Sequence, residues 1–181
     1  MNMAINVVAF QVCWVAFVGG AARGWWWLGF VFLLPFALWQ LRISTWPRAD
    51  VAMIGISAVL GFAMDSALVQ AGLLAYAAPI PWVGLAPLWM VGLWMAFALT
   101  LNHSLVFLRR SWPLAFAIGA IAGPFAYWVA GRAWQAVTFH EPASRAYIAL
   151  AIAWGVLTPL LSWMALRLAQ RETPAAAAAA A

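Results

Sequence analysis

Four polar side chains, Thr100, Asn102, His103 and Ser104, stand together in "LTLNHSLVF", inside a stretch otherwise apolar from Pro87 to Leu108. The chemistry they offer is specific: imidazole is the side chain that changes charge near neutral pH, and an amide or hydroxyl beside it positions or relays a proton. A second possible centre is Asp65, in "GFAMDSALVQ", a carboxylate inside another apolar run. In hydrocarbon such a group must be protonated, solvated or paired, so Arg132, in "GPFAYWVAGR", is read as its partner. Gln11 and Ser162 supply further polar groups near the depth of His103.

The elements that position these residues follow from composition. Hydrophobic residues make up 68% of the 181 and charged ones only 7%, with a mean hydropathy of +0.96. A soluble domain carries roughly 25% charged residues, so the chain is read as an integral membrane protein. At about 20 residues per span, its length accommodates about six helices and no sizeable extramembrane domain. Apolar runs bounded by charge, Pro or Gly fall at 3–21, 25–41, 51–75, 87–108, 113–134 and 146–168. They are continuous rather than alternating, which excludes a transmembrane barrel and predicts an all-α polytopic bundle. Residues 1–172 form one membrane domain, and 173–181 a low-complexity alanine tail from which no chemistry is expected.

The first run has no positive charge ahead of it, and "GGAARG" is a poor cleavage region, so it is read as a retained helix rather than a signal peptide. Cys13 is the one cysteine, which leaves no intrachain disulfide and suggests a packing role. All nine basic residues are arginines. With the amino terminus cytoplasmic, Arg42, Arg48, Arg109, Arg110, Arg167 and Arg171 fall inside and Arg23, Arg132 and Arg145 outside, so both termini are expected in the cytoplasm. The net charge of +5 then reflects topology and contact with anionic lipid headgroups. No basic and aromatic groove for nucleic acid is present.

About half of the 14 tryptophans fall at the expected interfaces, as Trp25 to Trp27 and Trp112 do, where they anchor. The deeper ones, including Trp14, Trp94 and Trp154, pack between helices or line a pocket. No nucleophile elbow, phosphate-binding glycine loop or "HExxH" appears, and two histidines and one cysteine far apart do not suggest a metal site. No cofactor is expected.

A helical rise of about 1.5 Å per residue sorts the polar groups into two layers. The inner one holds Gln11, Asn102, His103 and Ser104, with Ser162 at a similar depth; the outer one pairs Asp65, with Gln70 nearby, against Arg132. The fourth run carries its helix through "LNHS", so Thr100, His103 and Ser104 share a face and Asn102 is turned about 100° from His103. Either layer could hold helices together or serve a ligand or a proton. His140 reads as a solvated loop residue. Pro35, Gly123 with Pro124, and Thr158 with Pro159 interrupt helices, as backbone lining a cavity does. "PFALW" at 35–39 and "PFAYW" at 124–128 sit at equivalent depths, a faint sign of an inverted repeat.

The runs "GFAMDSALVQAGLL", "LAPLWMVGLWMAFALTLNHSLVFLRR" and "GPFAYWVAGRAWQAV" resemble a bacterial family of small inner-membrane proteins known only as a domain of unknown function. The resemblance covers nearly the whole chain up to the terminal alanines. Genes of that family often lie near those for cyclopropane-fatty-acid-synthase-like enzymes, which implies lipid metabolism and carries over no catalytic residue. Three functions stay open. One is binding or movement of a lipid or other hydrophobic molecule, with a polar cavity around Asn102 and His103. Another is a membrane enzyme of lipid modification using His103 as acid or base. The last is an assembly subunit whose polar groups only keep helices in register.

Overall fold

In the computed structural model, which describes residues 3–179 and side chains as far as Glu172, the chain is an all-helical bundle with one small strand pair. The helices are α1 (Met3–Ala21), α2 (Leu28–Ile43), α3 (Pro47–Gln70), α4 (Leu88–Leu101), α5 (Trp112–Arg132) and α6 (Ala143–Ala179). Among the described residues, α1, α3, α5 and α6 are long and apolar enough to cross a membrane, and α2 and α4 are shorter apolar helices. At about 1.5 Å per residue α4 covers only about 21 Å of a hydrocarbon core of roughly 30 Å. The chain continues its path through a turn and a 3₁₀ segment, Val106–Arg110. Together these features make this a membrane protein.

Local chemistry sets the boundaries. Pro47 stands in the first turn of α3, where its missing N–H costs nothing. Glu172 reaches from α6 to accept from the Ala49 and Arg48 backbone N–H groups at 2.9 and 3.2 Å, capping the same helix. Ser111 caps α5, its Oγ accepting from Leu114 N at 3.3 Å. At the other end of α3, Gly72 takes a left-handed φ of 66° and the chain closes with Gly72 N to Val69 O and Leu73 N to Leu68 O. That turn delivers β1 (Leu74–Tyr76), which pairs antiparallel with β2 (Val137–Phe139), Tyr76 opposite Val137. The sequence contains no alternating run to announce these two short strands, which tie the α3–α4 connection to the α5–α6 connection.

Helix α4 lies in the middle of the bundle, packed on α1, α2 and α3, with Trp89, Trp94, Leu99 and Leu101 fully buried. Phe17 of α1 fits against Gly29 of α2 and Gly92 of α4, where any side chain would collide with its ring. Helices α5 and α6 form a tightly packed hairpin that joins the rest mainly through α3 and α6. Gly119 and Gly123 allow the close approach: a Cβ at either would lie 2.4 or 2.2 Å from atoms of Thr158 or Trp154. Large apolar side chains such as Val59, Ile121, Phe125 and Ile148 face outward, as lipid-facing residues do.

Candidate functional site

The inner polar layer exists, but its centre is a residue absent from the sequence-based reading. Asp50, in the first turn of α3, is fully buried. His103 Nε2 lies 2.8 Å from its Oδ2, Ser44 Oγ donates to the same oxygen at 2.6 Å, and Asn102 Nδ2 donates to Oδ1 at 2.6 Å. Beside it, Asn6 of α1 donates to Gln40 Oε1 of α2 at 2.7 Å and to Leu99 O at 3.0 Å, and accepts from Ser104 Oγ at 2.6 Å. Four helices and the turn after α4 therefore converge on one hydrogen-bonded layer.

Helix α4 stops at Leu101, so the expected helical faces do not apply to "LNHS". Residues 102–105 form a turn closed by His103 N and Leu105 N on Thr100 O, at 3.0 and 2.9 Å. Side chains able to hydrogen-bond elsewhere compete with helix continuation, and here both Asn102 and His103 reach the same carboxylate. Thr100 Oγ1 bonds Phe97 O at 2.6 Å and belongs to the helix. Gln11 does not join the layer: it is exposed on α1. Ser162 is buried without a hydrogen-bond partner. Arg109 lies near Asp50 with its guanidinium over the Trp46 ring, 5.9 Å from the centroid. Burial lowers its pKa, and the charge of Asp50 acts in the opposite direction.

Of the expected outer layer only Asp65 is buried, and its pairing is corrected. Asp65 is fully buried, but its partners are Tyr76 Oη at 2.6 Å and Tyr127 Oη, both on Oδ1, and Trp94 Nε1 at 2.7 Å on Oδ2. Arg132 is exposed at the end of α5 and makes no such pair, and Gln70 is exposed as well. Neutral donors satisfy the carboxylate in place of a cation because β1 folds Tyr76 back over α3 and α5 brings Tyr127 to the same depth. Burial, with the adjoining Asp65 carboxylate, pushes the Tyr76 phenol well above its usual range, so it stays a donor.

Between α1 and α4 on one side and α5 and α6 on the other lies a cavity of about 440 Å³. Its wall includes Phe10, Trp14, Phe97, Ala126, Tyr127 and Trp154, and it extends from Leu105 and Leu108 to Ala130 and Val137. Trp94 stacks on Trp154 at a 4.5 Å centroid distance and forms part of the same wall. Gln11 stands at the rim and Thr158 on the wall; Asn102 and His103 do not line it. The expectation of a polar cavity around those two residues is therefore replaced by an apolar slot elsewhere, with the Asp65 cluster directly behind its wall.

Chemically, the inner layer can hold helices together through its hydrogen bonds, and the slot can accept an elongated apolar molecule. Neither the curated proteins nor the solved structures contain a match to this chain. The model of a protein family of unknown function, DUF2878, matches residues 3–160, from the start of α1 past Thr158, and the chain belongs to that family.

Proposed function

We propose that this protein binds a single-chain hydrophobic molecule, a lipid or lipid-like compound, in the slot between α1, α4, α5 and α6. The observation that carries the reading is the cavity itself, whose volume of about 440 Å³ falls within the range of small-molecule sites and whose wall is almost wholly apolar. Along α5 it reaches from Ile118 to Ala130, about 18 Å at the helical rise. One leaflet of a roughly 30 Å hydrocarbon core is about 15 Å deep, which is the depth an acyl chain occupies. Helices α1 and α5, which carry the exposed lining residues Gln11 and Phe125, pack only weakly on each other, which favours entry from the bilayer between them.

In this reading the membrane is a bacterial inner membrane, with the arginine-rich end and both termini in the cytoplasm and anionic headgroups against the arginines. The Asp50 layer then acts as a lock between helices, since it joins α1, α2, α3 and the turn after α4 and its residues stand apart from the slot wall. The enzyme reading needs substrate to reach His103, whose Nε2 is engaged by Asp50 in a buried position.

Slot binding is tested by tryptophan quenching, because Trp14, Trp89, Trp94 and Trp154 line the wall. A bromine-labelled acyl probe in nanodiscs is expected to quench saturably in the wild type. Ala126→Phe, which fills the slot, is expected to abolish the saturable part. Equal quenching in both proteins would reject the slot as a binding site.

A further inference from the structure

The slot's ligand class follows from a charge that nothing nearby balances. Three donors, Tyr76 Oη, Tyr127 Oη and Trp94 Nε1, converge on the two oxygens of Asp65. An ionised carboxylate accepts on both oxygens and donates nothing, so this donor set fits the charged form. Among the described residues, no arginine or histidine nitrogen lies within ion-pair distance of Asp65, whereas Asp50 has His103. Hydroxyl and indole donors delocalise the negative charge without neutralising it. In a low-dielectric interior, such a charge acts over distances at which water would screen it.

Two of the three donors, Trp94 and Tyr127, also belong to the slot wall, so the uncompensated carboxylate sits one side chain behind the cavity. The wall in front of it is aromatic, with Phe97 and Trp154 packed on the Trp94 ring. Aromatic surfaces attract cations and tolerate the apolar substituents of a quaternary ammonium. Toward Ile118, Leu105 and Leu108 the slot wall is mostly apolar, with the Thr158 hydroxyl beside Gly119 as a polar group on it.

We propose that the slot takes a lipophilic cation, an apolar chain bearing an ammonium head, with the head against Trp94 and Tyr127 in front of Asp65 and the chain running toward Leu105 and Leu108. The inference rests on the slot reading and adds the sign of the ligand's charge. A fatty carboxylate would meet the Asp65 field with the wrong sign, and a neutral chain would be indifferent to it.

The test displaces the bromine-labelled probe from full-length protein in phosphatidylcholine nanodiscs with dodecyltrimethylammonium, dodecanol or dodecanoate. In the wild type the cation is expected to bind at least about tenfold more tightly than the alcohol, with the carboxylate weakest. Asp65→Asn is expected to bring the cation-to-alcohol affinity ratio to about one, and comparing that ratio between the two proteins cancels both partitioning into the bilayer and any general change in slot affinity. Should Asp65→Asn not fold, the wild-type order of the three competitors decides the matter. Equal binding of cation and alcohol, or an advantage surviving in Asp65→Asn, overturns the charge assignment and leaves the slot intact. Failure of all three to displace the probe rejects the slot and the inference together.

Discussion

Asp50 and Asp65 show how differently one residue type can be held inside a bundle. Asp50 has an imidazole, an amide and a hydroxyl around it, and Asp65 has two phenols and an indole. Removing the Asp50 carboxylate leaves Asn102 and His103 buried without their acceptor. Asp50→Ala is therefore expected to lower stability by about 3 kcal/mol, the scale for breaking one side of a buried pair, read as a large fall in thermal midpoint in detergent. Probe binding in the slot should survive wherever the variant folds. Gln11→Leu, by contrast, changes an exposed position on the slot rim and is expected to leave the midpoint within about 0.5 kcal/mol, as a change distant from buried networks does.

At the scale of elements, close helix contacts and caps make their own predictions. A Cβ at Gly123 would lie 2.2 Å from Trp154 Cγ, so Gly123→Ala must move the indole off its stack with Trp94. The expected cost is about 1–3 kcal/mol, in the range of overpacked cores, together with altered tryptophan fluorescence. Glu172 caps α3 from the far end of α6, beyond the residues matched to the family. Glu172→Ala is expected to lose about 1 kcal/mol, comparable with loss of other helix caps, and hydrogen exchange should rise first at Arg48 and Ala49. Unchanged protection there would reject the capping role.

For the whole molecule, the arginine distribution and the bundle agree on two ends. Arg48 lies beside Glu172 of α6, and Arg109 lies over Trp46, whereas Arg23 lies over Trp134 at the opposite end, 5.7 Å from its centroid. Reporter fusions at both termini are expected to be active in the cytoplasm, and a periplasmic signal from either would overturn the proposed orientation. The short α2 and α4 are supported by the longer helices around them, with α4 enclosed rather than lipid-facing.

From the sequence alone came the membrane class, the helical architecture, the boundaries of α1 and the existence of two polar depths, because lipid penalises exposed backbone and charge so heavily that composition and run length carry the signal. His103, Asn102 and Asp65 were legible for the same reason. Their partners were not. Asp50 lies just outside the third apolar run, where nothing local singles it out, and Asn6 and Gln40 are single polar residues with no local pattern. Tyr76 falls between two apolar runs, where nothing local indicates that a glycine-closed turn and a short strand will fold it over Asp65. Arg132 was the arginine available by depth, but depth along separate helices leaves rotation and neighbour order unspecified. The end of α4 at Leu101, the Asp50 layer and the slot between α4 and α5 were decided by tertiary structure, since each depends on which helix faces meet, and side-chain pairing across elements outweighs the local preference for helix.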